Sequence, residues 1–287
     1  MKKTWIVAIL IALLPVLADA ASRSDIRKQI EYSMLVQGVI ETDVAGNVSA
    51  VTVDKPEKFP EGLVAYVQQQ VSGWKFEPVL VDGKPMHARS QMSLLVVAKR
   101  PDKDTISIRI RNANFDGDGK GLQEGEVLST LQMTPPLYPE SVAAAGVSGT
   151  VYVVVKVGQD GTVQDAVVEQ VNLRAMGKEK VMAAWRGALS DSALKAARGW
   201  KFKPPTRGGQ ASASYWSVRV PTDFKMFGID RPDRYGKWQV YLPGPRQNIP
   251  WWSNEAASVS PDSFADGGVY MLGQNKGPKL LTSLDGT

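Results

Sequence analysis

The chain has 287 residues, enough for about two domains of ordinary size, and its 43% hydrophobic and 22% charged content is that of a globular protein. Its formal charge is +5, but the basic residues are scattered, with no run of five or six and no stripe interleaved with aromatics, so no dedicated nucleic-acid surface is expected. There is no cysteine and a single histidine, which excludes disulfides, thiolate zinc sites and cysteine nucleophiles.

In chain order, Met1-Lys2-Lys3, the apolar run Trp5 to Ala18 and Ala18-Asp19-Ala20 have the three parts of a secretory signal. The run is shorter than the ~20 residues that span a bilayer as a helix. The reading is a signal peptide over residues 1–20, a mature protein starting near Ala21, and no integral span afterwards; the alternative is an uncleaved inner-membrane anchor. Ser22 to Tyr32, with Ile26 and Ile30 at i, i+4, reads as a short opening helix. Met34 to Val44 and Val48 to Val53 around Ala45-Gly46-Asn47 read as a hairpin. Gly62 to Val71 places Leu63, Val64, Val67 and Val71 on one helical face, and Gln91 to Ala98 alternates as a closing strand. Asp102 to Ile110 alternates too and is expected as an extra edge strand.

Asp116-Gly117-Asp118-Gly119-Lys120-Gly121 has the outline of a calcium loop, but Lys120 takes a ligand position and Val127 stands where a bidentate glutamate is needed. It is read as a linker. Beyond it, Glu140 to Ala145 is a small helix stopped by Gly146. Gly149 to Val157 and Thr162 to Val171 form a hairpin around Gly158-Gln159-Asp160-Gly161. Asn172 to Gly187 is an insertion, and Ser190 or Asp191 is expected to cap a helix running to Arg198. Ala213 to Phe224 is the closing strand. From Lys225 onward, repeated prolines and isolated aromatics such as Trp251-Trp252 read as an extended tail laid on the second unit.

One stretch occurs twice: Gly73-Trp74-Lys75-Phe76-Glu77-Pro78 and Gly199-Trp200-Lys201-Phe202-Lys203-Pro204. Each copy follows a helical pattern and precedes a glycine turn and an apolar strand. Gly46 corresponds to Gly161 in the preceding hairpins. The order of hairpin, helix, Trp-x-Phe-x-Pro, turn and strand reads as an internal duplication. The paired aromatics are expected in the cores.

Catalysis has little to rest on. Any triad would need His87, which lies in a loop, the acidic residues form no pair on an apolar face, and no phosphate-binding glycine pattern is present. No enzyme activity, cofactor or metal is expected.

The second unit resembles the C-terminal domain of the TonB family. The resemblance rests on Tyr138-Pro139, Ala144-Ala145-Gly146, Gly149-Thr150-Val151, Asp160-Gly161-x-Val163, the run from Ala193 to Pro204, and Val218-x-Val220-Pro221. It covers roughly Pro135 to Phe224, and the first unit resembles a degraded copy. The resemblance implies an α+β fold of two tandem TonB-C-terminal-like domains, each a three-stranded antiparallel sheet packed against two helices. The expected divisions are 21–115, a linker 116–132, 133–225 and the tail 226–287. It also implies that the last strand lies at a sheet edge with unpaired backbone groups, where a segment of an outer-membrane receptor adds as a further strand. The positions are Ser214, Tyr215, Trp216, Ser217, Val218, Arg219 and Val220, with exposed Tyr215 or Trp216 offering side-chain contact. The family's anchor histidine and its Pro/Lys/Glu-rich spacer are missing, so energy transduction by this chain alone is not expected. The resulting reading is a periplasmic, non-enzymatic protein contacting an outer-membrane receptor or another envelope protein. Exposed strand edges also allow a homodimer. The alternative is an envelope scaffold associated with peptidoglycan.

Overall fold

Two glycine turns locate the two sheets. Gly46 and Gly161 both have φ of +78, and a Cβ on either would fall about 2 Å from the carbonyl oxygen of Phe76 or Phe202. Only glycine permits that approach. The Phe76 amide donates to the Gly46 carbonyl at 2.8 Å and the Phe202 amide to the Gly161 carbonyl at 2.9 Å. Each hairpin turn is thus tied to its own Trp-x-Phe segment.

The structure, a computed structural model, describes residues 23–100, 102, 104–117, 125–226, 235–252, 260–261, 268–273 and 277–284. The signal-like segment 1–20 and residues 118–121 of the glycine-rich loop lie outside these. The first unit runs α1 (Arg23–Lys28), β1 (Glu31–Thr42), β2 (Val48–Val53), α2 (Leu63–Ser72), β3 (Val79–Val81), β4 (Lys84–Met86), β5 (Ala88–Lys99) and β6 (Ser107–Gly117). The second runs β7 (Ser129–Gln132), α3 (Glu140–Ala144), β8 (Gly149–Gly158), β9 (Val163–Leu173), α4 (Glu179–Ala197), β10 (Lys201–Lys203) and β11 (Tyr215–Phe224). The tail supplies β12 (Gln239–Tyr241) and β13 (Tyr270–Met271).

One sheet has the order β12-β1-β5-β6, with β2 also on β1; the other is β13-β11-β8-β9, and all pairs are antiparallel. In each, the first hairpin strand sits between its hairpin partner and the strand after the helix. Trp74 and Phe76 are buried with Val67 and Val71 of α2 and Met92, Leu94 and Val96 of β5. Trp200 and Phe202 are buried with Met182, Leu189, Ala193 and Ala197 of α4 and the valines of β8. Burying rings of this size is the main force seating helix on sheet.

Several expectations change. The helix α4 begins at Glu179, so Ser190 and Asp191 lie inside it and cap nothing. The apolar stripe Met182, Leu189, Ala193, Ala197 continues the helical period back through the insertion, and packing on the sheet extends the helix. The strand expected over 102–110 forms later, at Ser107–Gly117, and runs past the expected boundary at 115. Residues 129–132, placed in a linker by sequence, pair with β10 and belong to the second unit. Both sheets exceed three strands. Among the described residues three helices, α1 through Ile26, α3 and α4, pack in the second core, and only α2 packs in the first.

The tail lies on both units rather than the second alone. Tyr235 meets Phe59 edge to face at 5.2 Å, and β12 pairs with the start of β1. Leu242 then exchanges backbone bonds with Leu173 of β9, at 2.7 and 3.0 Å. After β13 the chain returns: the Leu281 amide donates to the Lys75 carbonyl at 2.8 Å, and Leu280 and Leu284 pack on the first core.

Candidate functional site

Strand β11 alternates strictly. Trp216, Val218 and Val220 point into the second core, while Tyr215, Ser217 and Arg219 share the opposite face. All ten residues pair with β8, from Tyr215 opposite Gly158 to Phe224 opposite Gly149. On the outer side the Ser217 carbonyl accepts from the Leu272 amide at 2.8 Å. Since a strand residue directs its N–H and C=O to the same side, Tyr215, Ser217, Arg219 and position 221 carry the outward backbone groups. Position 221 is proline, which has no N–H, and the donor row of this edge ends there.

The expectation of an unpaired edge is therefore corrected. Met271 lies opposite Val218 and Tyr270 opposite Arg219, so the chain's own tail occupies the outer side. The expectation of an exposed Trp216 is corrected too. It shares the core parity of Val218, is 3% exposed, and donates its Nε1–H to the Gln210 carbonyl at 3.1 Å. Ser214 is exposed and precedes the strand, and Tyr215 is half-buried. The Tyr215 hydroxyl donates to the Trp251 carbonyl at 3.2 Å, and Lys156 Nζ sits 4.5 Å from the centre of its ring.

The outward face is covered as well. Trp251 Nε1–H donates to Ser217 Oγ at 3.1 Å. Arg219, 1% exposed, forks onto Glu169 of β9, with Nε to Oε2 at 2.7 Å and Nη2 to Oε1 at 3.1 Å. Arg246 of the tail adds bonds to the same Oε1 at 2.9 and 2.6 Å. Two guanidinium groups thus satisfy one buried carboxylate, the condition under which such a charge is tolerated. The first unit has a counterpart in Glu31, 3% exposed, which binds Arg111, Lys99 at 2.6 Å and the Tyr241 hydroxyl at 3.0 Å. Burial pushes the Glu31 carboxyl up, but the hydrogen bonds and charges of Arg111 and Lys99 outweigh it and hold the group below its usual 4.5.

Glu169, Arg246 and Tyr270–Leu272 were not singled out by sequence, whereas Trp251 was expected as a tail aromatic laid on this unit and is found there. A signal for them exists. Val153, Val154 and Val155 are all buried, a run without alternation that means both faces of the sheet are covered. Something had to cover the second face, and the tail contributes to it.

Elsewhere, a shallow cavity of about 310 Å³ lies beyond the C-terminal half of β11, lined by Pro135, Pro136, Trp200, Pro221 and Asp223 among others. Asp223, the one carboxylate among the lining residues, is bonded by Arg174 and lies 3.1 Å from Lys225. His87 is exposed between β4 and β5. Among the described residues no group of three His, Asp or Glu stands together as metal ligands, and no helix is long and apolar enough to cross a membrane.

Hairpin, helix and a third strand joined in one antiparallel sheet define the second unit as a small α+β domain. Residues 134–226 match the family described as Gram-negative bacterial TonB protein C-terminal, and this unit is a domain of that family. Over 99 residues the chain is 34% identical to "Protein TonB" of Xanthomonas campestris pv. campestris, in strain B100 and in strain ATCC 33913 alike. The alignments cover 34% of this chain and 38% of each relative, so the chain spans well under half the length of the curated relatives it matches. The solution NMR structure of the Pseudomonas aeruginosa TonB CTD matches at 23% identity over 38% of this chain and 95% of that one, with a TM-score of 0.26. The family match ends at 226, leaving the first unit and the tail outside it.

Proposed function

We propose that this protein is a non-enzymatic, TonB-like component of a Gram-negative envelope that acts in outer-membrane receptor-associated transport by protein–protein contact on the periplasmic side. The contact is strand addition at the outer edge of β11, and the first unit is a divergent copy that carries no docking edge. The observation that carries this reading is a TonB C-terminal domain whose third strand directs backbone groups outward at Tyr215, Ser217 and Arg219 and is held there by only a two-residue strand. Main-chain bonds at such an edge supply affinity without demanding a particular side chain.

The test is a pull-down of the exported protein with periplasmic plug domains of outer-membrane receptors. Retention is expected. Ser217→Pro removes an outward N–H while sparing the β8 ladder, so it should abolish retention and leave the fold intact. Unchanged affinity would rule this edge out. Failure to bind any plug, with retention on purified peptidoglycan, would replace the reading with an envelope scaffold.

A further inference from the structure

We propose that the outer edge of β11 from Tyr215 to Arg219 is an exchangeable strand site, that the chain's own Val269–Leu272 is its resident occupant, and that it fits an extended partner bearing two aliphatic side chains at i and i+2. The inference rests on β11 being the docking strand and says what holds it, and what pattern replaces the holder.

The resident is marked out by its geometry. Val269 and Met271 both pack against the second core, continuing the sheet's apolar surface beyond Val218 and Val220. Tyr270 between them lies opposite Arg219, on the other parity. That is the period of two that an added strand must satisfy. Gly268 precedes the segment, and Gly273, with φ of +76, follows it, so the chain turns off the sheet directly after Leu272. The resident's ladder reaches only from Arg219 to Ser217, whereas β8 pairs with β11 along all ten residues. A longer segment can extend over Tyr215, up to the stop imposed by Pro221 at the other end.

A bare edge of this kind invites uncontrolled pairing between chains, and a short internal strand shields it. Shortness also makes the shield removable, since each backbone bond adds only a small net stabilisation. The first unit lacks this property, because its third strand β5 is covered by the eleven-residue β6. Pattern and position together specify the partner: an extended peptide, apolar at two alternate positions, with no fixed charge requirement, since Arg219 is committed to Glu169.

The experiment uses the full chain, which has no native cysteine. Val218→Cys with Met271→Cys places two thiols at directly opposed positions of the ladder. The probe is a fluorescein-labelled peptide of residues 268–273, Gly-Val-Tyr-Met-Leu-Gly, read by anisotropy. Oxidation should weaken peptide binding at least tenfold relative to the same protein after reduction, which serves as its own folding control. In the otherwise unaltered chain, Leu272→Pro removes the resident's donor to Ser217 and should tighten peptide binding about tenfold. A peptide with Asp replacing its Val and Met should not bind. Equal binding in both redox states, failure of the disulfide to form, no binding to either the reduced or the Leu272→Pro chain, or equal binding of the Asp peptide would each overturn the inference. No receptor is present in this assay. Peptide exchange with a failed pull-down removes the receptor reading alone, and a positive pull-down without exchange removes this inference alone.

Discussion

The two units share hairpin, helix and Trp-x-Phe turn, but they finish their third strands differently. In the first, β5 continues into β6 and is paired along nearly its whole length, so no outward row of donors remains. In the second, β11 receives only Tyr270–Met271, a segment separated from it by more than 40 residues of chain. A strand covered by its sequence neighbour is closed as soon as it folds, while one covered by a distant tail is closed only while the tail stays down. Each unit also presents a buried glutamate, Glu31 or Glu169, and the tail brings a donor to both, Tyr241 to the first and Arg246 to the second. The difference between the units thus lies at the edges, not in the cores.

The comparison breaks most visibly if the cores are not equivalent. Phe76→Ala and Phe202→Ala each empty a fully buried ring position and should cost about 3–5 kcal/mol. Urea denaturation of the two variants should give losses of similar size; a loss confined to one of them would mean that the repeated motif does different work in the two units. A smaller effect is expected at the turns. Gly46→Ala and Gly161→Ala would each drive a Cβ against a phenylalanine carbonyl at a positive φ, at a cost of about 2 kcal/mol or more. Matched losses in the same denaturation measurement would sharpen the correspondence of the two hairpins, and a neutral Gly46→Ala would end it.

Much of this fold was legible because it is written in local, periodic signals. Leu63, Val67 and Val71 mark a helical face, Gly46 and Gly161 mark turns, and Trp-x-Phe marks where each chain drops into its core. Strand β11 was legible in position, but not in its surroundings. The expectation of an exposed Trp216 fails because its parity with Val218 and Val220 puts it inside. The path of the tail could not be read, since its pairings are long-range and short, and a two-residue strand has no period to detect. What could have been read is the demand for it. Val153-Val154-Val155 and Leu94-Leu95-Val96-Val97 are buried without alternation, and Ser217 and Arg219 sit between apolar neighbours on a covered strand. Both patterns call for a layer over the outward faces, with polar partners in it.

The smallest effect concerns how the tail is held on the first unit. The Tyr241 hydroxyl donates to Glu31 and accepts from Arg111 at 3.1 Å, so β12 is fastened to an ionised carboxylate. The folded Glu31 titrates below its usual 4.5, and the group therefore contributes stability that is fully present above that pH and is lost as pH falls through the lower, folded value. Glu31→Gln keeps an oxygen for Tyr241 and Arg111 but removes the charge, and should cost about 1–2 kcal/mol at pH 7. The gap from the unaltered chain should narrow as pH is lowered below 4.5, since protonation of Glu31 then does to the unaltered chain what the substitution has already done. Urea midpoints at pH 7, 5, 4 and 3 measure it. A gap that stays constant over that range would mean that Glu31 is not the titrating group. Tyr241→Phe separates the two attachments: if β12 depends on this carboxylate, the variant should lose exchange protection at residues 239–241 while β13 on β11 keeps its own, because Arg246 and Glu169 hold the second unit's part of the tail independently.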